Sequence, residues 1–186
     1  MKIKNTTVLK SVEKPGRYSA GEFGQIIKDK KDIKARWAFC FPDTYEIGMS
    51  NLGVRILYGA LNSEPDIWCE RAYAPWTDMQ EQMRKHGIPL TAHESGDPLR
   101  EFDIIGITLQ YEMCYTTTLQ MLSLAGIPLY AKDRGEDLPI IIGGGPCAYN
   151  PEPIADFFDC FSIGEGEENL VEFTRLYIEM KENGTY

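Results

Sequence analysis

From Arg36 onward, short apolar runs alternate with amphipathic segments, and this alternation constrains the chain more than any other feature. "RWAFCF" reads as a strand halted by Pro42. "SNLGVRILYGALN" places Leu52, Ile56, Leu57, Ala60 and Leu61 at helical spacing, with Ser50 as the expected N-cap. "DIWCERAY" is a second strand. "WTDMQEQMRKHG" is a helix that opens on the capping-box pair Thr77 and Gln80 and closes at Gly87. "FDIIGITLQ", "LPIIIGG" and "DCFSIGEG" are further strands. Between and after them come the helical segments "MCYTTTLQMLSLAGIP", "PEPIADFF" and "EENLVEFTRLYIEMK". Strands this apolar need cover on both faces, and helices between successive strands supply it. The predicted fold class is α/β: a doubly wound, flavodoxin-like sheet of five parallel strands.

Residues 1–35 are charged and carry "EKPG" and "KDKKDIK". They read as an extended leader packing on the core, and residues 36–186 as the α/β domain. At 186 residues the chain is long enough for one domain with a core of its own. The formal net charge of −9 argues against direct nucleic-acid binding. No apolar run reaches the ~18 residues of a membrane span, and the basic, polar start lacks the apolar centre of a signal peptide. A cytoplasmic location is expected. Cys40, Cys69, Cys114, Cys147 and Cys160 show no C-x-x-C spacing and read as small core hydrophobes.

In such a sheet, ligands sit beyond the carboxyl ends of the strands, so the loops there carry the function. A P-loop sequence is absent. Gly164-Glu165-Gly166-Glu167-Glu168-Asn169 nearly meets G-x-G-x-x-G but lacks the last glycine and puts glutamates where an anion would bind. It reads as a tight turn leading into a self-capped helix. Gly143, Gly144 and Gly145 after the fourth strand leave room for a flat group against the backbone, or simply serve a turn with positive φ. His86 falls at a helix end and His93 in "TAHESG", ahead of the third strand. Both read as surface residues, and His93 is expected on the wrong edge of the sheet for a ligand.

"FPDTYEIGMSNLG" follows the first strand. Its Asp43, Tyr45 and Gly48 resemble the D-x-H-x-x-G motif of cobalamin-binding domains, with tyrosine in the histidine's place. "ESGDPLREFDIIGITLQYE", "GGGPCAYNPEPIADFFD" and "IGEGEE" extend the resemblance over residues 10 to 186. Together they make the chain similar to the N-terminal domain of B12-binding-type radical SAM proteins, the Fe–S oxidoreductases. The resemblance implies a cobalamin-binding-domain-like Rossmann fold. It implies a cofactor site formed by Asp43, Tyr45, Gly48, Thr108, Gln110, Gly143, Gly144 and Gly145. It also implies a partner barrel, C-terminal in a longer parent, that holds a [4Fe–4S] cluster and S-adenosylmethionine.

The C-x-x-x-C-x-x-C motif of that barrel is absent from this sequence, so the chain reads as an excised N-terminal domain, inactive alone. Tyrosine is a poor cobalt ligand at neutral pH because its reference pKa lies near ~10. Two readings therefore stand: a cobalamin-binding domain of a radical SAM oxidoreductase or methyltransferase, and a cofactor-free docking domain that kept the fold. A nucleotide binder is a third, disfavoured by the missing phosphate motifs. No substrate is readable.

Overall fold

The computed structural model describes residues 1–185. Five parallel strands, β1 (Ala35–Phe41), β2 (Ile67–Tyr73), β3 (Ile104–Thr108), β4 (Ile140–Gly144) and β5 (Cys160–Phe161), form one sheet in the order β2-β1-β3-β4-β5. This is the doubly wound, flavodoxin-like arrangement. The helices are α1 (Thr6–Lys10), α2 (Tyr45–Gly48), α3 (Leu52–Ser63), α4 (Thr77–His86), α5 (Cys114–Leu124) and α6 (Gly166–Asn183). The period-two alternation of the strands splits the core in two. Trp37, Phe39, Ile104 and Ile142 face the side covered by α3 and α6. Ala38, Cys40, Ile105, Ile107 and Ile141 face the side covered by α4 and α5. The Trp37 indole N–H donates to Thr174 Oγ1 at 2.9 Å, which ties α6 to the central strand.

Several local expectations are corrected. "FPDTYEIGMSNLG" holds two helices, not a loop and one helix: the Ser50 hydroxyl donates to Ile47 O at the end of α2, and Asn51 caps α3 by accepting from Val54 N at 3.0 Å. The capping box on α4 does not form. Gln80 instead donates to Pro75 O and exchanges amide hydrogen bonds with Gln120 on α5. Gly87 does end α4, in the left-handed conformation with φ 62°. "PEPIADFF" is a 3₁₀ turn, and α6 begins without a side-chain cap, although Glu167 and Glu168 lie in its first turn.

The first 35 residues contain α1 and contribute Met1, Ile3, Val8, Val12 and Tyr18 to the core on the α4/α5 side. The segment before β3 runs along the exposed edge of β2: His93 N donates to Arg71 O at 2.7 Å, and Thr91 bridges Pro98. This covers an edge that would otherwise offer unpaired backbone groups. No helix among the described residues is long and apolar enough to cross a membrane. Cys40, Cys69 and Cys114 are buried, Cys147 and Cys160 half-buried, and all five are free thiols.

Candidate functional site

The strand order reverses direction between β1 and β3, and the carboxyl ends of these strands open onto a cavity of about 210 Å³. It lies between the sheet and the N-terminal ends of α3 and α6. Small residues make the space. Gly106 in β3 cannot carry a side chain, because a Cβ there would lie 2.9 Å from the Trp37 ring. A Cβ on Gly144 would find nothing nearer than Ser162 O at 3.8 Å, so its missing side chain leaves open volume. Gly145 turns the chain at φ 91°, where an added Cβ would lie 3.1 Å from Leu109 O and Thr108 Oγ1.

Trp37, Phe39, Val54, Leu57, Ile142 and Leu170 form an apolar lining. Thr108, Gln110, Asn51 and Ser162 supply neutral polar groups, and Gln110 hydrogen-bonds to Thr108 Oγ1. Glu165 and Glu167 are the charged residues of the lining, which holds no lysine or arginine. Such a site disfavours phosphate and suits a neutral, flat ring. Whole drug-sized ligands occupy about 300–1,000 Å³, so a cavity this size takes one end of a larger molecule.

The eight residues singled out from the sequence fall into two places. Thr108, Gln110, Gly144 and Gly145 line the cavity. Gly143 does not: a Cβ there would strike the Phe161 ring at 2.7 Å, so this glycine serves the packing of β4 on β5. Gly48 lets α2 lie on Tyr73, whose ring would be 2.5 Å from an added Cβ. Asp43 joins two strand ends, accepting from Thr44 N through its carboxylate and from Ala74 N through its carbonyl. Tyr45 stacks on the His93 ring at 5.3 Å and meets Tyr73 edge-on at 5.4 Å.

The β1 loop reaches the cavity through Asn51 and Gly53 instead. Sequence reasoning also missed Gly106, Ser162 and the Gly164–Glu167 turn as parts of the lining. Topology was the available signal for the turn. In this strand order the crossover helix after β1 and the helix that follows β5 share a face, so their N-terminal ends meet over the middle of the sheet.

Tyr45 belongs to a second cluster, buried beside the carboxyl half of β2. Arg71 donates through Nε to Glu94 at 2.7 Å and through a terminal nitrogen to Glu22 at 2.6 Å. Glu94 also accepts from Arg71 N at 2.7 Å. Glu22 is also the charged neighbour of the Tyr45 phenol. Burial, reinforced by Glu22, pushes the Tyr45 phenol up to about 12. Burial also pushes Glu22 upward, but Tyr45, Arg71 and His93 outweigh it and hold the carboxyl below its ordinary value.

His93 is 1% exposed, which overturns its reading as a surface residue. Its stack on Tyr45 also sets it beside the loop that follows β1, not at the far edge of the sheet. Burial pulls its imidazole down to about 4, helped by the nearby Met1 amino group. His86, by contrast, is exposed at the end of α4, as expected.

The family model for the N-terminal region of radical SAM proteins matches residues 53–186. That span includes Thr108, Gln110 and the three glycines after β4, and begins after the Asp43–Gly48 loop. The chain is also 29% identical over 152 residues to the uncharacterized protein MJ0966 of Methanocaldococcus jannaschii, covering 80% of this chain and 28% of that protein. The chain thus spans little more than a quarter of the length of this relative. With a family model covering β2 through α6, the chain belongs to the N-terminal domains of radical SAM proteins.

Proposed function

We propose that this domain binds cobalamin for a radical SAM oxidoreductase or methyltransferase, receiving the uncharged base at the end of the cofactor's nucleotide tail in the cavity beyond β1, β3 and β4. The observation that carries this reading is the cavity: space left open by Gly144, an apolar lining and neutral polar groups from Thr108, Gln110, Asn51 and Ser162. These residues fit a flat, uncharged base. Thr108, Gln110 and Ser162 are the groups available to hydrogen-bond it, and Gly144 and Gly145 let it approach the backbone.

Tyr45 does not fit the role of axial ligand. Its phenol stays protonated near neutrality, raised by burial and by Glu22, and it lies outside the cavity lining. In this reading cobalamin would be held through Thr108, Gln110, Ser162, Gly144 and Gly145, without Tyr45. Cobalamin, when bound, supplies organometallic methyl or electron-transfer chemistry, and the residues of this chain hold and orient it. The [4Fe–4S] cluster and S-adenosylmethionine belong to the barrel of the parent, the partner of this domain. Five free thiols fit the reducing cytoplasm.

A second reading, a docking domain without cofactor, is favoured by a different observation. Exposed Ile47, Leu52, Trp76, Met113, Tyr149 and Ile163 follow the strands at the same carboxyl edge. Exposed apolar residues gathered on one side mark an interaction surface.

The two readings separate in one experiment. The protein is mixed with hydroxocobalamin, desalted, and its absorbance recorded. Retained, base-off cobalamin is expected. Gly144→Trp should abolish retention while the chain stays folded, because its Cβ enters open space and its indole fills the cavity. No retention by the unaltered chain, or equal retention by the variant, overturns the cavity as the cobalamin site.

A further inference from the structure

Residues 19–25 form a strap between two fixed points. At one end Tyr18 is 3% exposed, and its hydroxyl accepts from Trp76 N at 3.0 Å. At the other, Ile26 N donates to the Tyr58 hydroxyl at 2.7 Å and Ile26 O accepts from the Trp68 indole. Among the described residues, the side-chain hydrogen bonds and ion pairs that tie the strap to the body of the domain come from Glu22. The backbone between the anchors is left-handed at Ala20, Gly21 and Gly24, and at Ala20 that conformation is unfavourable.

Burial in the strap is inverted. The Glu22 carboxylate points inward at 18% exposure, while its neighbour Phe23 stands fully in water. An ion pair holds this segment, not apolar burial.

The receptor for Glu22 is poorly satisfied by it. Both ring nitrogens of His93, the Tyr73 hydroxyl and Glu22 Oε1 are buried without a hydrogen-bond partner. His93 Nε2 lies 3.3 Å from Glu22 Oε1, out of line for a hydrogen bond. Buried polar atoms are rarely left so, because each forfeits its hydration without replacement. Arg71 is differently placed with its other partner. Glu94 is fully buried and bonded to both the backbone and side chain of Arg71, so it belongs to the frame. Glu22 is the removable member. Beside it runs an open groove of about 560 Å³ lined by Phe23, Met49, Ser50, Arg55 and Tyr58, with Arg71 reaching into it.

We infer that Arg71, His93, Tyr45 and Tyr73 form a carboxylate-binding pocket that Glu22 occupies as an internal stand-in, and that a carboxylate from outside displaces it and frees the strap. Arg71 supplies the charge-assisted donor. Tyr45 and Tyr73 supply hydroxyls, and His93 supplies an N–H that Glu22 leaves unused. The incoming group is a small carboxylic acid or an acidic side chain of a protein, and the groove distinguishes them because only a chain can lie along it.

The test uses the full chain and its Glu22→Ala variant, followed by proton–nitrogen NMR of the His93 ring and Arg71 Nε–H. Sodium acetate should shift both signals saturably in Glu22→Ala, whereas sodium chloride should not. The unaltered chain should need roughly tenfold more acetate, because only the strap-open fraction binds. A peptide with one glutamate and an amidated end serves as the second probe, with its glutamine analogue as control. Tighter binding of the peptide than of acetate identifies a protein-borne carboxylate, and equal binding a small acid.

A folded Glu22→Ala chain with no saturable response to either probe overturns the inference. Should that variant fail to fold, Glu22→Gln keeps the size and weakens the pairing to Arg71. Amide exchange at Gln25 and Ile26, whose N–H groups donate to Glu22 O and the Tyr58 hydroxyl, is then expected to quicken relative to the unaltered chain. Exchange as slow as that of β1 amides in both proteins means that the strap is fixed, and the inference fails.

Discussion

Gly143 and Gly144 are neighbours in β4 that lack side chains for opposite reasons. One faces the Phe158 and Phe161 rings and has no room; the other faces the cavity and has room to spare. Pleating sends successive positions to opposite faces of a sheet, so a pair of glycines after a strand marks the edge but not which member serves the site. His93 was illegible for a related reason. "TAHESG" is polar and precedes a strand, which reads as a surface turn. Its burial comes from pairing with the edge of β2 and from the rings of Tyr45 and Tyr73, all distant in sequence. The folded imidazole has its pKa lowered from 6.5 to about 4, with burial the main cause and Met1, Arg71 and Lys2 reinforcing it against Glu22. Between those values the unfolded chain binds the proton and the folded chain does not, so stability falls as pH falls from about 6.5 toward 4. A shift of this size amounts to about 3 kcal/mol. His93→Phe keeps a ring against Tyr45 and removes the titration. Urea unfolding at pH 7 and pH 4.5 should show a smaller acid loss in the variant, by about 2 kcal/mol. Equal losses in the two proteins would show that His93 is not the group responsible.

At the scale of elements, strands and long helices were legible and their ends less so. Periodicity over several residues survives tertiary context, whereas a cap depends on one side chain that a neighbour can divert. Gln80 shows the diversion: its amide is claimed by Gln120 across the α4–α5 contact, so it does not reach back to the start of its own helix. Ser50 shows a second kind, since it closes α2 and leaves the opening of α3 to Asn51. Asn51 also lines the cavity, so this cap fixes the position of a wall. Asn51→Ala should lower the unfolding free energy by about 1 kcal/mol. Ser50→Ala, at an exposed position, should change it by less than about 0.5 kcal/mol. Chemical denaturation of both variants measures the difference. A larger loss for Ser50→Ala would return the cap to the residue that the sequence suggested.

At the scale of the molecule, the strand order brings the starts of α3 and α6 together over the reversal between β1 and β3, and this makes a site from residues as far apart as Asn51 and Glu167. The alternation of elements was enough to expect the parallel sheet. It gave the first 35 residues as an extended leader packing on the core, without saying which of them go inward. Their few apolar residues are spaced too widely to register as a periodic pattern, yet they go inward. Met1, Ile3, Val8, Val12 and Tyr18 are each under 9% exposed and join the core on the α4/α5 face. The segment is also stitched to the body by polar contacts: Lys2 N donates to Thr91 Oγ1, Glu13 N to the Asp78 carboxylate, and Trp76 N to the Tyr18 hydroxyl. Burying a large apolar side chain contributes about 1.5–3 kcal/mol, so five approach the ~5–15 kcal/mol by which whole domains are stable. Removal of residues 1–18 takes these five side chains out of a cluster that also holds Met79, Leu90 and Ala92. The shortened chain should therefore lose cooperative urea unfolding, or unfold at a much lower midpoint, with weakened near-ultraviolet circular dichroism. Single substitutions of these buried residues, such as Val8→Ser, would each report only part of this effect, so the deletion is the decisive form. An unchanged midpoint after deletion would make the segment a wrapping on a domain already complete at Ala35, and the core would then rest on the sheet and its crossover helices alone.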